Sequence, residues 1–113
     1  MDTLKIKTLE QVSDALELVE SARADQSLSR EEKLELEKAA IRLRNMERSI
    51  IKLMQQELVS TLTADSKALK LLSEQIKASS EKLAEIAATL ERASFVVDSF
   101  VKIITTAVAA GLI

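Results

Sequence analysis

The chain has 113 residues, which is enough for one modest hydrophobic core, so we expect a single helical domain over residues 1–113. One Gly, no Pro and only two aromatic residues argue against β-rich folds and favour an all-α protein. With 18 acidic and 16 basic residues and neither Trp nor Tyr, the chain does not have the composition of a nucleic-acid binder.

A first amphipathic helix is predicted over residues 3–24. Its apolar side is formed at helical spacing by Leu9, Val12, Leu16 and Val19. Glu10, Asp14 and Glu17 lie on another side of the same helix. Three carboxylates on one side could hold a hard cation, but they face away from the apolar line, and we interpret them as a solvated surface.

A second helix is predicted from about residue 30 to residue 62. Ser29 followed three residues later by Glu32 has the order of a capping box. The main apolar line consists of Leu36, Ala39, Leu43, Met46, Ile50 and Leu53. Beside it runs a second apolar line, formed by Leu34, Ile41, Ile51, Met54 and Leu58. Two apolar lines on one helix predict contact with more than one neighbouring helix.

The third predicted helix begins at about residue 64. A tight turn at residues 63–65, in which Thr63 or Asp65 caps the helix, is favoured there over a continuous bent helix. It continues to about residue 112 and has a coiled-coil-like heptad pattern, which is typical of a long helix packed along its length. The pattern is Leu69, Leu72, Ile76, Ser79, Leu83, Ile86, Leu90, Ala93, Val97, Phe100, Ile104 and Ala107. The predicted fold is an antiparallel bundle of three helices, or of four if this helix breaks near Ala93–Ser94.

The end of the third helix is the most apolar part of the chain. In an antiparallel bundle the second helix would cover the third only to about Val96, leaving an overhang of roughly 16 residues, or ~24 Å. From about residue 97 we expect a partner or membrane interface, consisting of Val97, Phe100, Val101, Ile103, Ile104, Val108, Leu112 and Ile113. A polar strip accompanies it, formed by Asp98, Ser99, Lys102 and Thr105. So much exposed apolar surface needs a cover, and the two protein covers are the chain's own bundle, if the tail folds back into it, and an oligomer.

Chemistry at an active site is not indicated. The chain contains neither His nor Cys, and it therefore lacks the usual general bases, activated thiols and soft metal ligands. We name no catalytic, cofactor-binding or metal-binding residue and expect no enzyme activity, no cofactor, no small-molecule substrate and no nucleic-acid partner.

These observations favour a non-enzymatic helical interaction or assembly component. Its apolar C-terminal helix would pack in a homo-oligomer or against a helical protein partner. The alternative is a membrane-active or pore-forming component that inserts the amphipathic segment 93–113, although Asp98 and Lys102 would then lie inside the bilayer. The N-terminus lacks the apolar core of a signal peptide, so we expect cytoplasmic residence, with export by another route and membrane association left open.

Overall fold

The computed structural model describes residues 2–52 and 56–111, and it describes side chains over residues 3–52 and 59–111. Four α-helices make up the described fold: α1 (Asp2–Arg23), α2 (Arg30–Ile51), α3 (Gln56–Ser79) and α4 (Ala84–Ala109). No strand occurs among the described residues. The all-α prediction is therefore confirmed, and the described part of the chain forms four helices.

The four helices pack as a ring whose main contacts join α1 with α2, α2 with α3, α3 with α4, and α4 with α1. Consecutive helices are antiparallel. Near the start of α1, Lys5 Nζ donates to the carbonyl oxygen of Ile51 at the end of α2, at 3.2 Å. Farther along α1, Ser13 Oγ donates to Glu47 Oε2 at 2.5 Å. The resulting bundle measures 51 × 21 × 19 Å.

The predicted heptad pattern supplies much of the core. Each of its apolar residues, from Leu69 to Ala107, is buried. The main line of α2 contributes Leu36, Ala39, Leu43, Met46 and Ile50, and α1 contributes Val12, Ala15 and Val19. The heptad pattern and the described part of the main α2 line are therefore confirmed as core residues, whereas Leu9 and Leu16 of the α1 line are only partly buried.

The predicted turn at residues 63–65 is wrong, because those residues lie within α3. The α2 helix ends earlier, where the Lys52 N–H donates to Arg48 O at 3.0 Å. Thr63 Oγ1 donates back to Val59 O at 2.9 Å, within the same helix. Asp65 accepts a hydrogen bond from Arg42 of α2. Thr63 and Asp65 therefore form hydrogen bonds within α3 and between α3 and α2, and they do not form a chain turn. Leu53, which was assigned to the second helix, lies outside the described residues.

The predicted single helix from 64 to 112 is also divided, at residues 80–83 and not at Ala93–Ser94. Ser80 Oγ donates to Glu32 Oε2 in the first turn of α2 at 2.5 Å. Lys82 Nζ donates to Ser27 O, just before α2, at 3.1 Å. Ile76 before the turn and Leu83 within it are both buried. The seven-residue spacing therefore continues through the turn, which is why the sequence pattern did not show the break.

The predicted overhang is wrong as a consequence. Because the chain reverses after Ser79, α4 runs back along α3 and also packs on α1. Burial on α4 continues as far as Ala107. Val97, Phe100 and Ile104 of the predicted overhang are thus covered by the protein's own helices.

Candidate interaction surface

The residues predicted as an interface on α4 are divided between the core and the surface. Val97, Phe100 and Ile104 are 0, 1 and 5% exposed. Val101 is half-buried against the core, whereas Ile103 and Val108 are 45 and 47% exposed. Leu112 and Ile113 lie outside the described residues. Val97, Phe100 and Ile104 therefore stabilise the bundle and are not available at its surface.

The predicted polar strip lies mainly on the solvent-exposed side of α4. Asp98, Lys102 and Thr105 are exposed and Ser99 is half-buried. Asp98 Oδ1 accepts a hydrogen bond from Ser66 Oγ of α3 at 2.5 Å. The strip therefore includes a link between α3 and α4. Across the described ranges, none of the helices combines the length and apolar character needed to cross a membrane.

A different set of apolar side chains is exposed on neighbouring sides of α2 and α3. Leu34 and Ile41 of α2 are 50 and 47% exposed, and Leu71 of α3 is 57% exposed. Ile41 and Leu71 line one groove between the two helices, and Leu34 lies two helical turns from Ile41. We call the surface formed by Leu34, Ile41 and Leu71 the α2–α3 face.

The groove in this face has a volume of about 440 Å³. Its lining residues are Lys38, Ile41, Arg42, Ala68, Leu71, Leu72 and Gln75. The small side chain of Ala68 and the buried side chain of Leu72 contribute its apolar lining, while Lys38, Arg42 and Gln75 supply polar groups. An apolar cleft with polar groups at its rim is suited to an apolar side chain of an incoming helix.

An ion pair holds the two walls of the groove together. Arg42 Nη1 lies 3.0 Å from Asp65 Oδ1, and Asp65 is 3% exposed. The other carboxylate oxygen, Oδ2, is buried without a hydrogen-bond partner among the described residues. The Arg42 side chain is 45% exposed, so it links α2 to α3 while remaining accessible from solvent. The ion pair therefore holds α2 and α3 in a fixed relative position beside the groove.

A second cleft lies where the turns meet at one end of the bundle. Its volume is about 590 Å³, and its acidic lining residues are Glu31, Glu32, Glu35 and Glu81. Hydrogen bonds from the Ser29 backbone N–H and the Ser80 hydroxyl lower the pKa of Glu32 from its ordinary value of 4.5. Over the described part of the chain, no three acidic residues are grouped so that they could hold a metal ion, and this includes the carboxylates of α1. Glu32 caps α2 and binds the α3–α4 turn, which gives this cleft a structural role.

The α2–α3 face had a signal in the sequence, since Leu34 and Ile41 belong to the second apolar line of α2. That line was predicted to contact another helix, but in the structure Leu34, Ile41 and Ile51 are exposed, while Met54 and Leu58 fall outside the described side chains. Leu71 and Phe95 were missed because each lies one or two positions away from the heptad pattern. Phe95 is 72% exposed on α4.

Comparison with known proteins does not assign the chain to a family. The chain matches no protein-family model, no curated protein and no solved structure. Its function has to be inferred from the geometry of its surfaces.

Proposed function

We propose that the protein is a non-enzymatic helical interaction component that binds a partner helix on the α2–α3 face. The observation that carries this proposal is the exposure of Leu34, Ile41 and Leu71 on two adjacent helices beside a preformed groove. Clustered apolar side chains within a polar surround are characteristic of sites that bind another protein.

Burial of Leu34, Ile41 and Leu71 against a partner would contribute a favourable free energy of binding. Complete burial of a Leu or Ile side chain is worth about 1.5–3 kcal/mol, and each of these three side chains is already about half covered. A gain of about 1 kcal/mol for each is therefore expected on binding. The helices that form the groove are held by the core and by the Arg42–Asp65 ion pair, so little ordering would oppose association.

The burial of Phe100 and Ile104 supports moving the interface from the end of α4 to the α2–α3 face. Both side chains are covered by the protein's own helices, and exposing them would require the bundle to open. Leu34 and Ile41 need no such change. Binding on α2 and α3 is therefore compatible with an intact core.

Site-specific photo-crosslinking in cells tests the proposal. A photoreactive amino acid at position 71 should give a discrete protein adduct, because Leu71 lies in the groove. The same amino acid at position 14, an exposed position on α1, is the matched control. Ile41→Glu should abolish the adduct at position 71, since the new carboxylate would be buried against the partner.

Three outcomes would contradict the proposal. One is an adduct pattern at position 71 that equals the pattern at position 14. A second is an adduct at position 71 that survives Ile41→Glu. The third is crosslinking to lipid, accompanied by sedimentation of the purified protein with liposomes, which would favour the membrane-active alternative.

A further inference from the structure

We propose that the turn between α3 and α4 opens into a continuous helix at high protein concentration, so that two copies of the chain exchange their α4 helices. In the exchanged dimer, α4 of one copy occupies the place of α4 in the other copy and makes the same contacts there. This inference goes beyond the proposed function and does not depend on it. It concerns the core contacts of α4, which the exchange converts from contacts within one chain into contacts between two chains.

The turn between α3 and α4 contains little that would prevent a helix. It consists of Ser80, Glu81, Lys82 and Leu83, and none of these four residues has a positive φ. The Ser80 N–H still donates to Ile76 O at 2.9 Å, which continues the hydrogen-bond pattern of α3 by one residue. No side chain caps α4 at Leu83, whereas a preceding helical turn would supply carbonyl acceptors to the first amides of α4.

The apolar spacing passes through this turn without a shift. On both sides of it, one residue in every seven is no more than 5% exposed. These residues are Leu69, Ile76, Leu83, Leu90, Val97 and Ile104. A hairpin does not require such spacing, since contacts with α3 and α1 set the register of α4. A continuous helix does require it, because a seven-residue repeat keeps one apolar stripe on one side along the whole length.

The unbroken stripe fits the symmetry of an exchanged dimer. The two joined helices, each about 80 Å long over residues 56–109, would lie antiparallel about a twofold axis at the turn. Each half of this pair repeats the packing of α3 on α4 in the monomer, which is already antiparallel. A twofold axis that relates two antiparallel neighbours places both α1–α2 hairpins on the same side of the helix pair. That is the arrangement that an apolar stripe on one side requires.

Side-chain hydrogen bonds at the turn favour the monomer. Ser80 donates to Glu32, and Lys82 donates to Ser27 O, so both bonds join the turn to the start of α2. The exchange gives up these local bonds and keeps the buried contacts of α4. The two states therefore bury nearly the same apolar surface, and protein concentration shifts the balance between them.

The exchange leaves the α2–α3 face intact, because α2 and α3 remain neighbours within one chain. The dimer therefore carries two copies of this face on one assembly. A partner with two binding sites would be held more tightly by the dimer than by the monomer, since its second contact forms within the same complex.

Two single-cysteine variants test the exchange, since the chain has no cysteine of its own. Ser66 Oγ lies 3.0 Å from Ser94 Oγ in the core. A Ser66→Cys chain and a Ser94→Cys chain are unfolded in urea, refolded together at high concentration and oxidised mildly. Exchange brings the two sulfur atoms together and should give a disulfide-linked dimer with one chain of each kind.

Each variant refolded alone is the matched control. In the exchanged dimer, position 66 lies about 42 Å along the helix pair from its symmetry mate, and position 94 is equally far from its own. Neither variant alone should therefore form the disulfide-linked dimer. A mixture that gives no more of this dimer than the controls would overturn the exchange, even if the chains associate in another way.

Glu81→Ala and Glu81→Gly provide a second test that leaves the core unchanged. Both substitutions remove the same exposed carboxylate from the turn, but Gly weakens the interior of a continuous helix. Because each dimer contains two copies of the substitution, the dimer dissociation constant should be about tenfold larger for Glu81→Gly than for Glu81→Ala. Equal dissociation constants, or the absence of a dimer of either variant at every concentration, would contradict a turn that opens into a helix.

Discussion

Ser66 of α3 and Ser94 of α4 bond to each other reciprocally in the core. Ser94 Oγ donates to Ser66 O at 3.0 Å, and Ser66 Oγ lies 3.0 Å from Ser94 Oγ and 3.1 Å from Ser94 O. Both residues are almost fully buried, at 0 and 1% exposure. Buried polar groups stabilise a fold only when they are hydrogen-bonded. The small side chains of Ser66 and Ser94 also let α3 and α4 approach closely.

Alanine substitutions at these serines should be coupled. Ser66→Ala and Ser94→Ala should each lower the free energy of unfolding by about 1 kcal/mol, since each removes hydrogen bonding between α3 and α4. The double variant should lose about 0.5 kcal/mol less than the sum of the two single losses. Urea denaturation measures all three values, with Ser21→Ala on the exposed side of α1 as the control. Strictly additive losses would mean that the pair does not act as a unit.

The two phenylalanines should differ sharply in their contribution to stability. Phe100 is 1% exposed, and Phe100→Ala should cost about 3–5 kcal/mol because it leaves a cavity in the core. Phe95 is 72% exposed, and Phe95→Ala should change stability by no more than about 0.5 kcal/mol. Urea denaturation of the two variants is a matched comparison of the same substitution on one helix. Similar losses for both would contradict the placement of α4 against the core.

Stability should fall in acid partly through Glu32. Because hydrogen bonds from the Ser29 N–H and the Ser80 hydroxyl lower its pKa below 4.5, the folded state favours the carboxylate. This contribution is fully present above the unfolded-state pKa and is lost as the pH falls through the lower pKa of the folded state. Glu32→Gln should therefore reduce the melting temperature near pH 6 and flatten its decline between about pH 4.5 and pH 3.

Melting curves recorded from about pH 3 to pH 6 test this expectation. Glu10→Gln, on the exposed side of α1, serves as the control and should leave the curve of the wild type unchanged. If Glu32→Gln also follows the wild-type curve throughout, the capping and Ser80 contacts of Glu32 contribute nothing to acid stability.

Periodicity predicted which residues face the core, because the apolar spacing of a helix is set by its geometry. The lines through Leu36 and Leu69 are buried as the sequence indicated. The capping box is also present, with Ser29 accepting from the Glu32 N–H at 3.1 Å and Glu32 accepting from the Ser29 N–H at 2.9 Å. Local chemistry of this kind can be read without knowledge of the rest of the fold.

Chain reversals were harder to locate, since the chain turns without Pro and with its only Gly at position 111. The turn after Ser79 preserves the heptad spacing between Ile76 and Leu83, so periodicity alone could not reveal it. Misplacing that turn created the apparent overhang and assigned Phe100 and Ile104 to an interface. The exposed line through Leu34 and Ile41 was visible in the sequence, but only the arrangement of the helices shows that it faces outward.

Photo-crosslinking in cells from position 71, compared between the wild-type background and Ile41→Glu, tests the central claim most directly. The wild-type background should give a discrete protein adduct. Ile41→Glu should give none while its melting temperature stays close to that of the wild type, because Ile41 is 47% exposed. Phe95→Glu, an equally drastic change at an exposed apolar residue of α4, should leave the adduct unchanged. An adduct that survives Ile41→Glu, or one that forms equally well from position 14, would contradict the account.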